Sequence, residues 1–187
     1  ITEEARLQRE AAGLIRIACI APELPGALDC ICTVAAEGVK VSLAHTEADY
    51  DTASAAFDAG ASHVTHLFNA MPPLLHRAPG VIGAASERET VTAELIADGI
   101  HVHPSAVRAA FRLFPGRVCL VSDALSACGM PEGEYMLGGQ SIRVSGSRAM
   151  LSDGTLAGSV ATLFDCMKNA VRFGVPAEEA VRAASHT

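Results

Sequence analysis

The chain has 187 residues, half of them apolar and 19% charged, which supplies a sizeable core for one domain and excludes an intrinsically disordered chain. Its formal charge is -7, with no lysine or arginine cluster, so neither nucleic acid nor an anionic membrane surface is an expected partner. No apolar run of about 20 residues and no charged-then-apolar leader occurs, so no membrane span is expected and the cytoplasm is the expected compartment, with a small polar molecule as ligand.

The opening "ITEEARLQREAAG" (1–13) reads as a helix. It lacks an initial Met, and the chain stops abruptly at "AASHT", so further sequence is expected at both ends. Short apolar runs then alternate with amphipathic stretches. "IRIACIAPE" (15–23), "VKVSLAHT" (39–46), "SHVTHLFNA" (62–70), "TVTAELIADG" (90–99) and "RVCLVSDA" (117–124) read as buried parallel strands. Between them, Ala53, Ala56, Phe57 and Gly60, and later Val107, Ala110, Phe111 and Phe114, recur at helical spacing. Gly38, Gly60 and Gly116 stop each helix before the next strand.

This β-α alternation predicts an α/β fold with a parallel sheet and helices packed outside it, doubly wound or closed into a barrel. The stretch 134–158 breaks the pattern with Gly-Gly and Ser-Gly turns between short β-prone runs, and reads as a small β-hairpin insertion. It is followed by a predicted helix over "SVATLFDCMKNAVRFG" (159–174) and another after Pro176. The six cysteines form no CxxC pair and mostly lie in apolar runs, which predicts reduced, structural thiols.

Each of the five predicted strands ends on a potential ligand or acid/base: Glu23, His45, His66, His101 and Asp123. One such residue alone is usually a capping or packing group. In a parallel barrel, however, all five ends converge on the face where active sites lie. No glycine-rich phosphate loop follows the first strand, which sets the doubly wound alternative back. Two neutral imidazoles from neighbouring strands, His45 and His66, can each offer a nitrogen to a divalent transition metal, and Asp123 can move a proton to and from a water there. His63, three residues before His66 on a strand, points to the opposite face and reads as structural.

Taken in order, "THLFNAM", "HRAPG", "ADGIHV", "SDA" and "DGTLAGS" resemble the N-acetylglucosamine-6-phosphate deacetylase family of the amidohydrolase superfamily, from "APE" at 21–23 almost to the last residue. The resemblance implies a (β/α)8 TIM barrel of the metal-dependent hydrolase type, of which residues 1–187 supply only the later strands, without the N-terminal strands and the small β-sandwich. It implies His45 and His66 as metal ligands, zinc or iron as the divalent metal, and Asp123 as the catalytic acid/base. Asn69, Ala70, Arg77, His101, Leu156, Ala157 and Gly158 become substrate-binding residues, with Arg77 holding the sugar phosphate. It implies an amino-sugar phosphate as ligand, a homodimer as assembly, and hydrolysis of the N-acetyl group to glucosamine-6-phosphate and acetate.

Two departures stand out. Ala44 replaces the glycine that usually precedes the first ligand histidine. The "LEGP" motif, whose glutamate is the family's third protein ligand, and an upstream histidine would both lie before Ile1, and Glu23 occupies a different position. Alternatives therefore stay open: N-acetylgalactosamine-6-phosphate as substrate, or a non-catalytic sugar-phosphate-binding protein. Asn69 can be a turn-former, Arg77 a solvated loop cation, and Gly154 and Gly158 plain turn glycines.

Overall fold

The computed structural model describes residues 6, 7, 10, 11 and 13–187, so most of the helix expected over 1–13 lies outside the described residues. Five short strands, β1 (Ile17–Ile20), β2 (Lys40–Leu43), β3 (His63–Val64), β4 (Thr92–Ile96) and β5 (Val118–Val121), form a sheet in chain order. They coincide with the five apolar runs. The described residues fall into two compact units that divide after Glu94.

In the first unit, β1 to β4 run parallel with Ala18 opposite Val41, Leu43 opposite Val64, and Val64 opposite Ala93. Val41, Leu43, Val64 and Ala93 are fully buried, as are Ile31 of α1 (Ala27–Ala36) and Ala53 and Ala56 of α2 (Tyr50–Asp58). The apolar face of the sheet and the helical spacing read from the sequence thus meet in one core. Asp49 starts α2 by accepting from the Thr52 amide at 2.8 Å, and this capping bond holds its carboxyl below the usual range. The opposite face of the sheet carries hydroxyls and a carboxylate instead: Ser42 and Thr65 share a hydrogen bond of 2.6 Å, and His63 contacts both Thr92 and Glu94.

A further helix, α3 (Gly80–Ser86), has no counterpart in the sequence reading. Its residues Gly80 to Ala85 are all buried, so it lacks the polar stripe that makes a helix legible.

In the second unit, α4 (Pro104–Leu113) buries the expected Val107, Ala110 and Phe111, and Phe114, which caps its end, is buried too. The insertion is a complete four-stranded antiparallel sheet in the order β6 (Gly133–Leu137), β7 (Gln140–Ser145), β8 (Arg148–Leu151) and β9 (Leu156–Ser159). Ala127, Val144 and Ala149 form a small core beneath it. Helix α5 spans Leu163–Arg172 and not the predicted 159–174. Ser159 belongs to β9, and Thr162 and Asp165 close a reciprocal capping box that fixes the helix start. Lys168 and Thr162 together hold the Asp165 carboxyl down at about 2. Helix α6 (Ala177–Ser185) follows Pro176 as expected. No helix among the described residues is long and apolar enough to cross a membrane.

None of the six cysteines is in a disulfide; Cys30 and Cys166 are buried, and burial pushes the Cys166 thiol up to about 11. Such a thiol is an inert packing group.

Two helix-ending glycines separate backbone strain from packing. Gly38 has φ 83° and open space where a Cβ would project, whereas Gly60 has φ 117° and its Cβ would lie 2.9 Å from the Ala35 methyl. Gly38→Ala should cost about 1 kcal/mol and Gly60→Ala distinctly more, about 2–3 kcal/mol, because the second adds a clash to the strain. Urea denaturation of both variants checks this order; equal losses would refute it.

Candidate active site

Three of the five residues singled out at the strand ends, His45, His66 and Asp123, share an unusual backbone. Among the described residues, five non-glycine residues have positive φ: His45 (46°), His66 (32°), Phe68 (77°), Ala70 (48°) and Asp123 (49°). Four of these five were named from the sequence as site residues. For side chains with a Cβ this conformation costs roughly 1–2 kcal/mol each, and it persists only where surrounding bonds over-determine it.

In the first unit the strain brings two imidazoles together. His45 follows β2, His66 follows β3, and their Nε2 atoms lie 2.9 Å apart with ring planes at 83°. His45 is exposed and His66 buried. Two imidazole nitrogens this close together suit a shared divalent cation, so the donor set fits such an ion. It fits as a partial set: no group of three His, Cys, Asp or Glu side chains among the described residues is placed to hold a metal.

The loop after β2 is tied on both sides. The Glu23 carboxylate accepts from the Thr46 hydroxyl and, at 2.7 Å, from the Glu47 amide. Desolvation raises the Glu23 pKa, but these hydrogen bonds outweigh it and the net shift is downward. Glu23 therefore braces the turn that carries His45. On the other side the Thr46 amide donates to the Ala70 carbonyl at 3.0 Å.

Of the predicted strand "SHVTHLFNA" (62–70) only His63–Val64 is strand, and "THLFNAM" (65–71) is an irregular turn. Asn69 donates from its side-chain amide to the His66 and Leu67 carbonyls, both at 3.2 Å, and from its backbone to the His66 carbonyl at 2.9 Å. Its amide nitrogen thus stabilises the turn behind His66. Arg77 is exposed and lines a cavity of about 710 Å³ with Glu47, Asp49, Tyr50 and Glu87.

In the second unit, His101 is built around a carboxylate that the sequence reading did not name. Asp98 accepts from the Ile100 amide at 2.8 Å, the His101 amide at 2.9 Å and the His101 Nδ1 at 2.7 Å. A three-residue spacing next to Gly99 was the available signal. The Asp98 hydrogen bond raises the His101 pKa above its ordinary 6.5, against desolvation and with help from the charge of Asp123. Asp98 is itself desolvated, yet those same bonds bring it below 3.8.

Asp123 lies just past β5 and is exposed. Its carbonyl accepts from the Ser159 amide at 2.9 Å, and the Ser159 carbonyl accepts from the Leu125 amide at 2.9 Å. The end of β9, carrying Leu156, Ala157 and Gly158, therefore runs against the Asp123 turn. Gly158 has φ 132°, and a Cβ there would meet Leu125 Cδ2 at 2.8 Å and the Asp123 carbonyl at 3.3 Å. Glycine is required at this approach, which is more than a plain turn would demand.

A folded His101 pKa above 6.5 means that its pairing adds stability in full below pH 6.5 and loses it as pH rises through the folded value. Asp98, held below 3.8, contributes above that pH and loses its share as pH falls through its folded value. Asp98→Asn should lower the His101 pKa, read from imidazole NMR shifts; an unchanged titration would refute the coupling.

The amidohydrolase family model matches residues 18–187. The chain is 49% identical over 155 residues to the N-acetylglucosamine-6-phosphate deacetylase of Bacillus subtilis strain 168, covering 82% of this chain and 39% of that protein. It is 39% identical over 172 residues to the N-acetylgalactosamine-6-phosphate deacetylase of Escherichia coli O157:H7, covering 91% of this chain and 46% of that protein. A solved structure of an N-acetyl-D-glucosamine-6-phosphate deacetylase mutant from Mycobacterium smegmatis, in complex with N-acetyl-D-glucosamine-6-phosphate, superposes with a TM-score of 0.92 at 41% identity, covering 97% of this chain and 50% of that one. The chain thus spans about half the length of the relatives it matches or less. A parallel sheet with catalytic-type residues at its strand ends, matched along almost its whole length, makes this chain a member of the amidohydrolase family.

Proposed function

We propose that the protein is a metal-dependent deacetylase that hydrolyses the acetamide of N-acetylglucosamine-6-phosphate to glucosamine-6-phosphate and acetate, and that residues 1–187 are the later part of its barrel. The observation that carries this reading is the strained backbone at His45, His66 and Asp123, with two imidazole nitrogens 2.9 Å apart. The names of the relatives supply the substrate.

In this reading His45 and His66 hold a divalent zinc or iron ion, which when bound supplies Lewis acidity that brings the pKa of water down toward about 7. Asp123 takes the proton from the attacking water and returns it to the departing nitrogen, because an amide anion is too poor a leaving group. Its exposure leaves the carboxylate open to both partners. Asp98 engages His101 Nδ1, which leaves Nε2 for a substrate oxygen. Arg77 pairs with the sugar phosphate across a homodimer, while Asn69, Ala70 and the Leu156–Gly158 segment line the sugar. The cytoplasm is the proposed compartment.

One relative named for the galactosamine epimer keeps a second substrate in view. Rates of acetate release from both epimers decide between them: the glucosamine form should have the higher kcat/KM. Asp123→Asn should lower kcat by about 10²–10⁴-fold with little change in KM. Near-normal turnover by that variant would end the assignment, and absence of acetate release from the unaltered protein would favour the binding-protein alternative. Arg77→Ala should raise KM by about 10–100-fold, the loss of one charge-assisted contact, and leave kcat within a few fold.

A further inference from the structure

His66 lacks the support that metal-binding histidines ordinarily receive. A ligand imidazole usually donates its second ring nitrogen to a carboxylate or carbonyl, which fixes the ring. Here the His66 Nδ1 is buried and has no hydrogen-bond partner among the described residues. The ring's placement then depends on its backbone, which sits at φ 32°. Asn69 holds the carbonyl side of that backbone, and Glu94 holds its amide side. Glu94 Oε2 accepts from the His66 amide at 3.4 Å, and the Glu94 carbonyl accepts from the next amide, Leu67, at 2.8 Å.

Glu94 is in turn fixed from the other side. Its Oε1 receives the Nε2 hydrogen of His63 at 3.1 Å, and His63 Nδ1 bonds the Thr92 hydroxyl. Both side chains are largely buried, with 6% of His63 and 18% of Glu94 exposed. Parallel pairing sets this up, because His63 lies opposite Thr92 and the next residue on the same face of β4 is Glu94. A buried carboxylate is costly, and its two oxygens are spent on one imidazole and one strained turn.

We propose that Glu94, steered by His63, is a positioning residue that holds His66 in the conformation needed to bind the metal. It acts through the backbone amides of His66 and Leu67 in place of the missing bond to the ring. The inference rests on the metal-ligand reading of His66. His63 thereby gains a part in the site that its alternation with His66 concealed.

The test is titration of the metal-free protein with Co²⁺, read as affinity and as the visible ligand-field spectrum. Glu94→Ala should weaken Co²⁺ binding about 10–100-fold and alter the spectrum. Glu94→Gln keeps an acceptor oxygen for the His66 amide and should recover affinity to within about threefold. Glu94→Asp, one methylene shorter, withdraws that oxygen and should bind at least about fivefold more weakly than Glu94→Gln, which keeps the test alive if the alanine variant does not fold. Wild-type affinity and spectrum in folded Glu94→Ala, or equal affinities for the Gln and Asp variants, would overturn the proposal. His45→Ala is the control: if it loses Co²⁺ while Glu94→Ala does not, the positioning role alone fails, and if it binds as the wild type does, the metal reading and this inference fall together.

Discussion

The candidate site depends on keeping non-glycine residues in left-handed backbone at the ends of parallel strands. A strand that simply stopped would let its last side chain alternate to one face or the other of the sheet. Turning φ positive at the second residue past the strand re-aims that side chain. Such a turn is unstable alone, so each is locked by hydrogen bonds from a neighbouring segment: Glu23 through Thr46 for the His45 loop, Glu94 for His66, and Ser159 for Asp123. Three strained residues therefore have three separate external braces.

These braces explain a division of labour among the carboxylates. Glu23, Glu94 and Asp98 all have oxygens that accept from backbone amides. A carboxylate used in this way stiffens a loop and offers less to a ligand. Asp123 differs, since its turn is held by its backbone carbonyl and its carboxylate stays exposed. The strand-end residues thus separate into those that shape the loops and those left with uncommitted chemistry.

Much of this was legible in the sequence. The five apolar runs located the strands, and the recurrence of Ala53, Ala56 and Phe57, and of Val107, Ala110 and Phe111, located two helices, because core burial has a period that residue types betray. The chemistry at the strand ends was legible as a coincidence repeated five times. Other features left no such mark. Helix α3 is buried all round and has no polar stripe. The start of α5 was misplaced because "SVAT" looks helical, whereas Ser159 pairs into a sheet and Thr162 caps. Glu94 reads as an ordinary polar residue within a strand, and its bond to the His66 amide depends on which strand lies beside which. The positive φ of His45, His66 and Ala70 carries no signal either, since no glycine or asparagine stands at those positions.

The contact between Gly158 and the Asp123 turn bears on how this segment could be redesigned. The Leu125 side chain, with the Asp123 carbonyl beside it, fills the volume that a methyl group would need, and the backbone sits at φ 132°, so position 158 is dictated by its neighbours and not by whatever molecule arrives. Leu156 and Ala157, half-buried and carrying real side chains, are under no such restriction. A library aimed at this segment should randomise those two and leave the glycine alone, because a side chain there would push on Leu125 and the Asp123 turn.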